Sequence, residues 1–315
     1  MLKKLHIAIS SSTDPYCNLN GEEQLLHRCD SETMILYLWQ NANTVVIGRN
    51  QSAYRECRTE LLAEEGGHLA RRLSGGGAVY HDLGNLNFTF VTWRLNYDLK
   101  RQMHVIQQAL ADKGIEAAAS GRNDILVQGR KCSGNAFYLT QEASYHHGTL
   151  MVNVDAEKVM RYLKPDDEKL QANGVKSIRS RIINLQEVCP SLSVDELKAA
   201  LIEAAEQEYD LKADTEIVHS DRGRYADADW LYRNEIEHGY QVSERYPFGR
   251  IAISADMHEG HIQKINVFSD AMEIDFCTEA EKMIHGLSVQ KAIEILSESS
   301  IEHGQEIVSL LKRLL

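Results

Sequence analysis

The segment RRLSGGGAVYHD at residues 71–82 is the most unusual stretch of this sequence. Three consecutive glycines let backbone N–H groups converge on an anion without a Cβ atom in the way, and the two arginines before them can supply fixed positive charge. The segment therefore suits a phosphate or a carboxylate, although a glycine-rich hairpin turn with solvated arginines has the same pattern. It is not a P-loop, because the G-x-x-x-x-G-K-[ST] spacing is missing, and it lacks the third glycine and the βαβ unit of a Rossmann fingerprint. Any nucleotide site here belongs to a different fold.

A second polar segment follows further along the chain. Gly121-Arg122-Asn123-Asp124 precedes the run Lys131-Cys132-Ser133-Gly134-Asn135-Ala136. A lysine at the start of an otherwise uncharged strand can place an ammonium group inside a cleft, where a desolvated charge attracts oxyanions strongly. Asp124 could hold a magnesium ion or orient that lysine. A hairpin with a surface lysine and an Asn-Asp turn is the structural alternative.

The segments around these two motifs predict mixed α and β structure. Alternating or continuously apolar runs are interspersed with amphipathic helical runs, and several strands adjoin without a helix between them, so antiparallel pairing must contribute. We predict strands at 34–39, 44–48, 86–92, 124–128, 132–139 and 148–153, and helices at 21–29, 99–112 and 194–206. After residue 240 a hairpin of 250–256 and 261–269 is followed by helices, which is enough for a small second domain. The predicted domains are 1–235 and 240–315.

Composition restricts the class of protein. The chain has 315 residues, 43% of them hydrophobic, and a formal charge of −12. These values exclude a disordered chain and any global basic field that would hold nucleic acid or an anionic membrane. No apolar run approaches the ~18 residues that a membrane-spanning helix needs. Six scattered cysteines without a C-x-x-C pair favour a reducing compartment, so we predict a cytoplasmic protein with neither nucleic acid nor membrane as a partner.

Taken together and in order, the two segments and the later run His146-His147-Gly148-Thr149-Leu150 resemble the lipoate–protein ligase family of the biotin/lipoate ligase superfamily. The resemblance extends to NTVVIGRNQ at 43–51 and GVKSIRSR at 174–181. It implies an α/β (α+β type) fold with a mixed, largely antiparallel sheet in the ligase domain and a smaller C-terminal α/β domain. It also implies ATP-dependent activation of lipoate to lipoyl-AMP, followed by transfer of the lipoyl group to a lysine of a carrier domain.

The same resemblance assigns roles to individual residues. Lys131 is the catalytic residue and bridges the lipoate carbonyl and the α-phosphate. Asn123 and Asp124 contact phosphate or Mg²⁺, and residues 163–181 are a lid that orders over the adenylate through its basic side chains. The residues expected to line the ATP and lipoate site are Arg72, Ser74, Gly75, Gly76, Gly77, Ala78, Val79 and Tyr80, and the basic lid residues are Lys176, Arg179 and Arg181.

The implied co-substrates are ATP with Mg²⁺, and lipoate is the substrate; no tightly bound cofactor is expected. The expected partners are lipoyl-acceptor carrier domains, namely the acyltransferase subunits of 2-oxoacid dehydrogenases and the glycine-cleavage carrier protein.

Two other functions are compatible with parts of this pattern. An ATP-independent lipoyl or octanoyl transferase would work through a cysteine thioester, but the one nearby thiol, Cys132, should point away from the side that Lys131 faces. A non-catalytic protein that binds the lipoyl carrier would have no need to retain Lys131, Asp124 and the glycine-rich segment together. His146-His147 could suggest a metal, yet the H-E-x-x-H spacing is absent, and we predict that one of the pair is a structural, hydrogen-bonded histidine.

Overall fold

A computed structural model of the protein describes residues 2–121, 123–164, 180–233, 235–236 and 239–314. The chain forms two compact units. The first contains Met1–Val46, Cys57–Ala70 and Val79–Ala226, and the second contains Ile47–Glu56, Arg71–Ala78 and Asp227–Leu315. The predicted limits 1–235 and 240–315 remain a prediction. Two short segments, Ile47–Glu56 and Arg71–Ala78, belong to the same unit as the C-terminal residues, and the second of them contains the three glycines of the motif.

The first unit is built on an eight-stranded mixed sheet. Among the described strands of this sheet, the pairings of β1 with β2 and with β11 are parallel and the others are antiparallel. The predicted mixed, largely antiparallel sheet is therefore confirmed. In spatial order the strands are β11 (Ala213–Val218), β1 (Lys4–Ser10), β2 (Thr33–Trp39), β6 (Asn85–Trp93), β10 (Ala143–Met151), β9 (Arg130–Leu139), β8 (Asp124–Val127) and β7 (Ala117–Ser120).

In the part of the chain that the structure describes, three helices cover this sheet. Helices α4 (Leu99–Ala111) and α6 (Val194–Tyr209) bury their apolar stripes on one face, where they form the main core with alternate strand residues such as Leu36, Phe88 and Leu150. Helix α6 begins with a capping box formed by Ser193 and Glu196. Helix α1 (Pro15–Arg28) lies on the other face. Because strand side chains alternate, the residues between the core positions point toward α1.

Smaller elements complete the first unit. A three-stranded sheet has the order β4 (His68–Arg71), β3 (Thr44–Ile47) and β5 (Val79–His81). Short helices lie at α2 (Ala53–Glu56), α3 (Thr59–Glu64) and α5 (Ala156–Tyr162); of these, α2 belongs to the second unit. No helix in the described part of the chain is long and apolar enough to cross a membrane.

The second unit has its own core. Strands β12 (Tyr240–Tyr246), β13 (Gly249–His258) and β14 (His261–Ser269) form an antiparallel sheet, and the predicted hairpin is confirmed with Glu259 and Gly260 at positive φ in its turn. Helices α8 (Asp275–Ile284), α9 (Val289–Glu298) and α10 (Gly304–Leu311) pack on this sheet. Helix α7 (Ala228–Tyr232) precedes it.

Two elements begin earlier than their sequence patterns predicted. Helix α1 starts at Pro15 and not at residue 21, because the Asp14 carboxylate accepts a hydrogen bond from the Tyr16 N–H at 2.9 Å and caps the helix. Strand β10 starts at Ala143. The sequence predicted a start at 148 because the polar residues Ser144, His146 and His147 interrupt the apolar run. All three are buried, and the two histidines have hydrogen-bond partners inside the protein, so polar side chains concealed the strand pattern.

Candidate functional site

Lys131 and Asp124 form an ion pair on neighbouring strands. The Lys131 ammonium lies 2.7 Å from Asp124 Oδ1, and both side chains are about one-third exposed, at 36% and 34%. The cation is therefore fixed by a partner yet open to a ligand. The sequence left two roles open for Asp124, to hold a magnesium ion or to orient this lysine, and the structure places the two side chains in contact.

A β-bulge puts the two side chains on the same face of the sheet. Ile125 is opposite Ser133 but the next residue, Leu126, is opposite Lys131, so Cys132 is an extra residue in β9. With a regular register, Lys131 would share a face with Ile125 and point into the core. The bulge instead turns Cys132 into the core and leaves Lys131 on the side of Asp124. Cys132 thus points away from Lys131, as the sequence predicted.

Gly134 makes room for the lysine side chain. It lies directly across from Asp124, and a Cβ atom at this position would be 3.0 Å from both Cε and Nζ of Lys131. Its N–H donates to Thr149 Oγ1 at 3.2 Å. Gly134 therefore allows the ammonium group to occupy this position, because a side chain on residue 134 would overlap with the end of Lys131.

Asn123 is held by a chain of buried hydrogen bonds that links all three motifs of this unit. Asn135 donates to the Asn123 carbonyl from its backbone N–H at 2.8 Å and from Nδ2 at 3.0 Å. Asn135 Oδ1 lies 2.9 Å from His146 Nε2, and His146 Nδ1 lies 3.2 Å from Gln102 Oε1 on α4. A Cβ atom on Gly148 would be 2.6 Å from Asn135 Oδ1, so the glycine of the His-His-Gly run is needed for this contact.

His146 has a structural role, in line with the prediction for one of the two histidines. It is fully buried, and desolvation, with a smaller contribution from His147, lowers its pKa to about 3 from 6.5. The ring is neutral at physiological pH; each nitrogen faces an amide oxygen, and one of these oxygens accepts the single N–H of the ring. In the described part of the chain, no group of three or more His, Cys, Asp and Glu side chains could hold a metal ion.

The sequence did not reveal a polar cluster on the face toward α1. Glu22 is only 2% exposed; its Oε1 accepts from Thr89 Oγ1 at 2.7 Å and lies 2.8 Å from His147 Nδ1. Trp39 Nε1 donates to Thr89 Oγ1 at 3.1 Å. The strand registers place these residues on the face of the large sheet that carries Lys131 and Asp124, and we call this face the polar face. Asn18 and Glu22 interrupt the apolar stripe of α1 at helical spacing. This spacing is the sequence feature from which the polar cluster could have been predicted.

The glycine-rich loop belongs to the second unit. Arg72 folds over the loop: Nε donates to Ser74 Oγ at 3.0 Å, and Nη2 donates to the carbonyls of Gly75 and Gly77 at 2.7 and 2.8 Å. Gly76 has a φ of 86° and its N–H donates to the Ala271 carbonyl at 3.0 Å. The loop is thus ordered, and the carbonyls of Ser74, Gly75 and Gly77 and the Gly76 N–H are already engaged.

Close backbone approaches require glycine at two positions of this loop region. A Cβ atom on Gly75 would lie 2.4 Å from the Ala271 carbonyl oxygen, and a Cβ atom on Gly48 would lie 2.2 Å from the Gly76 carbonyl oxygen. Both distances are shorter than any tolerable contact with backbone atoms. Gly77, in contrast, has open space around it.

The remaining predicted residues are distributed as follows. Ala78 ends the loop, and Val79 and Tyr80 lie in β5, where the Tyr80 hydroxyl donates to Asn43 Oδ1 at 3.0 Å. Lys176 and Arg179 lie outside the described residues. The Arg181 carbonyl accepts from the Lys131 N–H at 2.8 Å, so the C-terminal end of the predicted lid is fixed to the backbone of Lys131.

Cys132 is unsuited to nucleophilic chemistry. It is fully buried in the core, and desolvation raises the pKa of its thiol to about 12. A thiolate at neutral pH would require the opposite shift. This observation weighs against the cysteine-dependent transferase that the sequence left open.

Two family models match the chain. The model of the lipoyl protein ligase A/B catalytic domain matches residues 14–206, and that of the bacterial lipoate protein ligase C-terminus matches residues 235–303. The chain is also 38% identical over 285 residues to lipoate-protein ligase A of Blochmanniella pennsylvanica (strain BPEN), which covers 85% of this chain and 84% of that protein.

Solved structures agree with these matches. LipL1 of P. falciparum in complex with lipoate is 28% identical, with coverage of 97% of this chain and 98% of that chain and a TM-score of 0.80. A lipoate-protein ligase A bound with ATP shares the fold at 24% identity and a TM-score of 0.60, over 75% of this chain and 97% of that chain. The predicted fold class and the predicted ligase activity are confirmed. On its sequence, its fold and the assembly of its motifs, the chain belongs to the lipoate–protein ligase family.

Proposed function

We propose that this ligase carries out two half-reactions with Lys131 as its catalytic cation. In the first, a carboxylate oxygen of lipoate attacks the α-phosphorus of ATP and pyrophosphate leaves. Two anions must approach each other, so the site needs cations and N–H donors where charge accumulates on the α-phosphoryl oxygens. The observation that carries the proposal is the Lys131–Asp124 pair, because it holds an ammonium group at a fixed, accessible position on the polar face.

The glycine-rich loop is proposed to bind the adenylate and the lipoyl group. Arg72, Ser74 and residues 75–80 are the predicted contacts. In the free protein the Arg72 guanidinium is held by loop carbonyls, which keeps the cation beside the loop N–H groups. An anion bound to this loop would therefore meet a charge that is already oriented, and little side-chain entropy would be lost on binding.

Asp124 is the proposed magnesium contact, together with Asn123. Mg²⁺ in nucleotide sites is held mainly by phosphate oxygens and water, with one or two carboxylates from the protein. One carboxylate that is about one-third exposed, next to the proposed catalytic lysine, fits this requirement. When bound with ATP, the ion would neutralise phosphate charge. The Asn123 backbone carbonyl already accepts two hydrogen bonds from Asn135. The Asn123 side chain is therefore the group that we propose to contact phosphate.

In the second half-reaction the amine of an acceptor lysine attacks the carbonyl carbon of lipoyl-AMP. The amide bond forms, AMP leaves with the bond electrons, and the amine loses a proton. No nucleophilic side chain of the enzyme is required, which agrees with the high pKa of the Cys132 thiol. We propose that the acceptors are carrier domains of 2-oxoacid dehydrogenases and the glycine-cleavage carrier protein, and that the enzyme works in the cytoplasm.

The experiment uses purified protein with lipoate, ATP and Mg²⁺. Pyrophosphate should appear only when lipoate is present, and a purified lipoyl domain should then gain the mass of one lipoyl group at one lysine. Transfer of the acyl group from an octanoylated carrier without ATP would instead identify a transferase. Binding of a carrier domain with neither reaction would identify a non-catalytic protein.

A further inference from the structure

We infer that Arg71 is a positioning residue that sets the conformation of the glycine-rich loop and does not bind substrate. The inference deepens the proposed function and rests on it, because it concerns the loop that is proposed to bind the adenylate. Arg71 directly precedes Arg72 and is completely buried, with 0% of its surface exposed. Its position beside Arg72 in the sequence suggested that it supplies a second positive charge to a bound anion. Its contacts indicate a structural role instead.

One side of the guanidinium group holds the turn that follows β3. Arg71 Nη1 donates to the backbone carbonyls of Gly48, Arg49 and Gln51 at 3.2, 2.9 and 2.6 Å. These carbonyls converge on one nitrogen because the turn wraps around it. Without the cation, the three oxygens would face one another, and only the Gly48 carbonyl would keep its donor from within the turn, the Gln51 N–H at 3.1 Å.

The other side of the guanidinium group holds the end of helix α7. Nε donates to the carbonyls of Trp230 and Leu231, each at 3.0 Å, and Nη2 donates to Leu231 at 2.6 Å. The last carbonyls of a helix have no partner within the helix, so the arginine supplies the missing donors. Trp230 Nε1 in turn donates to the Arg71 carbonyl at 2.9 Å. All three guanidinium nitrogens are therefore occupied by the protein itself.

The charge of Arg71 is compensated inside the same cluster. Its Nη2 lies 3.9 Å from Glu235 Oε1, and the Glu235 side chain is only 5% exposed. The Glu235 carboxylate also accepts from Ser52 Oγ and from the Ala53 N–H, both at 2.6 Å. Burial lowers the pKa of Arg71 to about 9, which leaves it charged at neutral pH. If the cation were removed, five carbonyl oxygens would lose a hydrogen-bond donor and a buried carboxylate would lose its counter-charge. Both losses would destabilise the folded state.

The turn held by Arg71 is also the support of the glycine-rich loop. Arg49 N–H donates to the Ser74 carbonyl at 2.9 Å, and the Arg72 N–H donates to Ile47 at 3.1 Å. Gly48 packs so closely on the Gly76 carbonyl that no side chain fits between them. A displacement of the turn would therefore move the loop, and with it Arg72. Arg71 acts on substrate through the loop.

The test compares Arg71→Met and Arg71→Lys with Leu296→Ala, which creates a cavity in the core of the second unit at a residue of α9 that is not in the site. The first measurement is amide hydrogen exchange of residues 72–78, which needs no activity. Arg71→Met should accelerate it at least tenfold, Arg71→Lys should give an intermediate value, and Leu296→Ala should leave it unchanged. If Arg71→Met does not fold, Arg71→Lys decides. Wild-type exchange in both arginine variants would overturn the inference.

The second measurement is lipoate-dependent pyrophosphate release by the same variants and by Arg72→Met. A displacement of about 1 Å costs about 10²-fold in rate, so kcat/KM should fall by about this factor in Arg71→Met and stay near wild type in Leu296→Ala. The double variant Arg71→Met/Arg72→Met should be no worse than Arg72→Met within about threefold, because both losses act through one loop. A double loss equal to the product of the single losses would show that Arg71 contacts substrate independently and would overturn the inference. A wild-type protein that releases no pyrophosphate would refute the proposed function, while the exchange measurement would still decide the role of Arg71.

Discussion

Replacement of Lys131 by alanine should lower adenylate formation strongly and leave the fold nearly unchanged. The ammonium group contacts Asp124 at 2.7 Å, but both side chains are about one-third exposed. An ion pair of this exposure contributes about 1 kcal/mol or less to the free energy of unfolding, because water solvates both partners when the pair is broken. Loss of one preorganised donor at a site of developing charge costs about 10² to 10³ in rate, which is about 2.7–4 kcal/mol in the transition state. The catalytic effect should therefore exceed the effect on stability.

The assay is lipoate-dependent pyrophosphate release, with thermal unfolding measured on the same samples. Lys198→Ala is the matched control. Lys198 also lies in the first unit, where its ammonium group contacts Asp195 at 3.1 Å and Gln40 at 3.0 Å, and it is remote in sequence from every motif of the site. It should show a similarly small change in unfolding temperature and an unchanged rate.

Three results would refute this reasoning. Pyrophosphate release by Lys131→Ala within about threefold of wild type would remove Lys131 from the chemistry. A Lys131→Ala protein without cooperative unfolding would mean that the lysine is needed for the bulged strand pair itself. Equal losses of rate in Lys131→Ala and Lys198→Ala would attribute the effect to general charge and not to position.

Four further outcomes are expected. Gly134→Ala should fold normally, because the atoms it meets are the flexible end of Lys131, but it should displace the ammonium group and lower pyrophosphate release about tenfold or more; wild-type activity would contradict this. His146 has a pKa lowered to about 3, so below pH 6.5 the unfolded chain binds a proton that the native state does not, and the free energy of unfolding should fall as the pH drops toward 3, by up to about 1.4 kcal/mol per pH unit. Urea unfolding between pH 7 and 5 should show this slope, and His146→Gln should flatten it; an unchanged slope would exclude the histidine as its source. Protease cleavage within residues 163–181 should be suppressed by lipoate with ATP and Mg²⁺ but not by lipoate alone, and equal cleavage would exclude a lid. A chain that ends at residue 234 should fold but ligate poorly, because the Gly76 N–H loses its Ala271 acceptor; activity like that of the full chain would show the C-terminal residues to be dispensable.

The sequence by itself determined the chemistry and most of the elements. The glycine-rich segment and the runs around Asp124, Lys131 and His146 are local patterns of residue type and spacing, so they could be recognised in one dimension. The apolar periodicity of α4, α6, β6 and the C-terminal hairpin was equally readable, because burial on one face dictates it. Orientation of Lys131 was one of two roles that the sequence left open for Asp124, the other being to hold a magnesium ion.

Only the tertiary structure decided which side chains of those motifs are available to a ligand. Arg71 and Arg72 are adjacent and chemically equal in the sequence, yet Arg71 is enclosed by carbonyls from residues 48–51 and 230–231, which no local pattern relates to it. The bulge at Cys132 reverses the face of Lys131, and register is a property of the strand pair and not of either strand. The contact of Glu22 with His147 joins residues 125 positions apart. Each of these features depends on contacts between residues that are distant in the sequence, so residue type and spacing alone could not predict it.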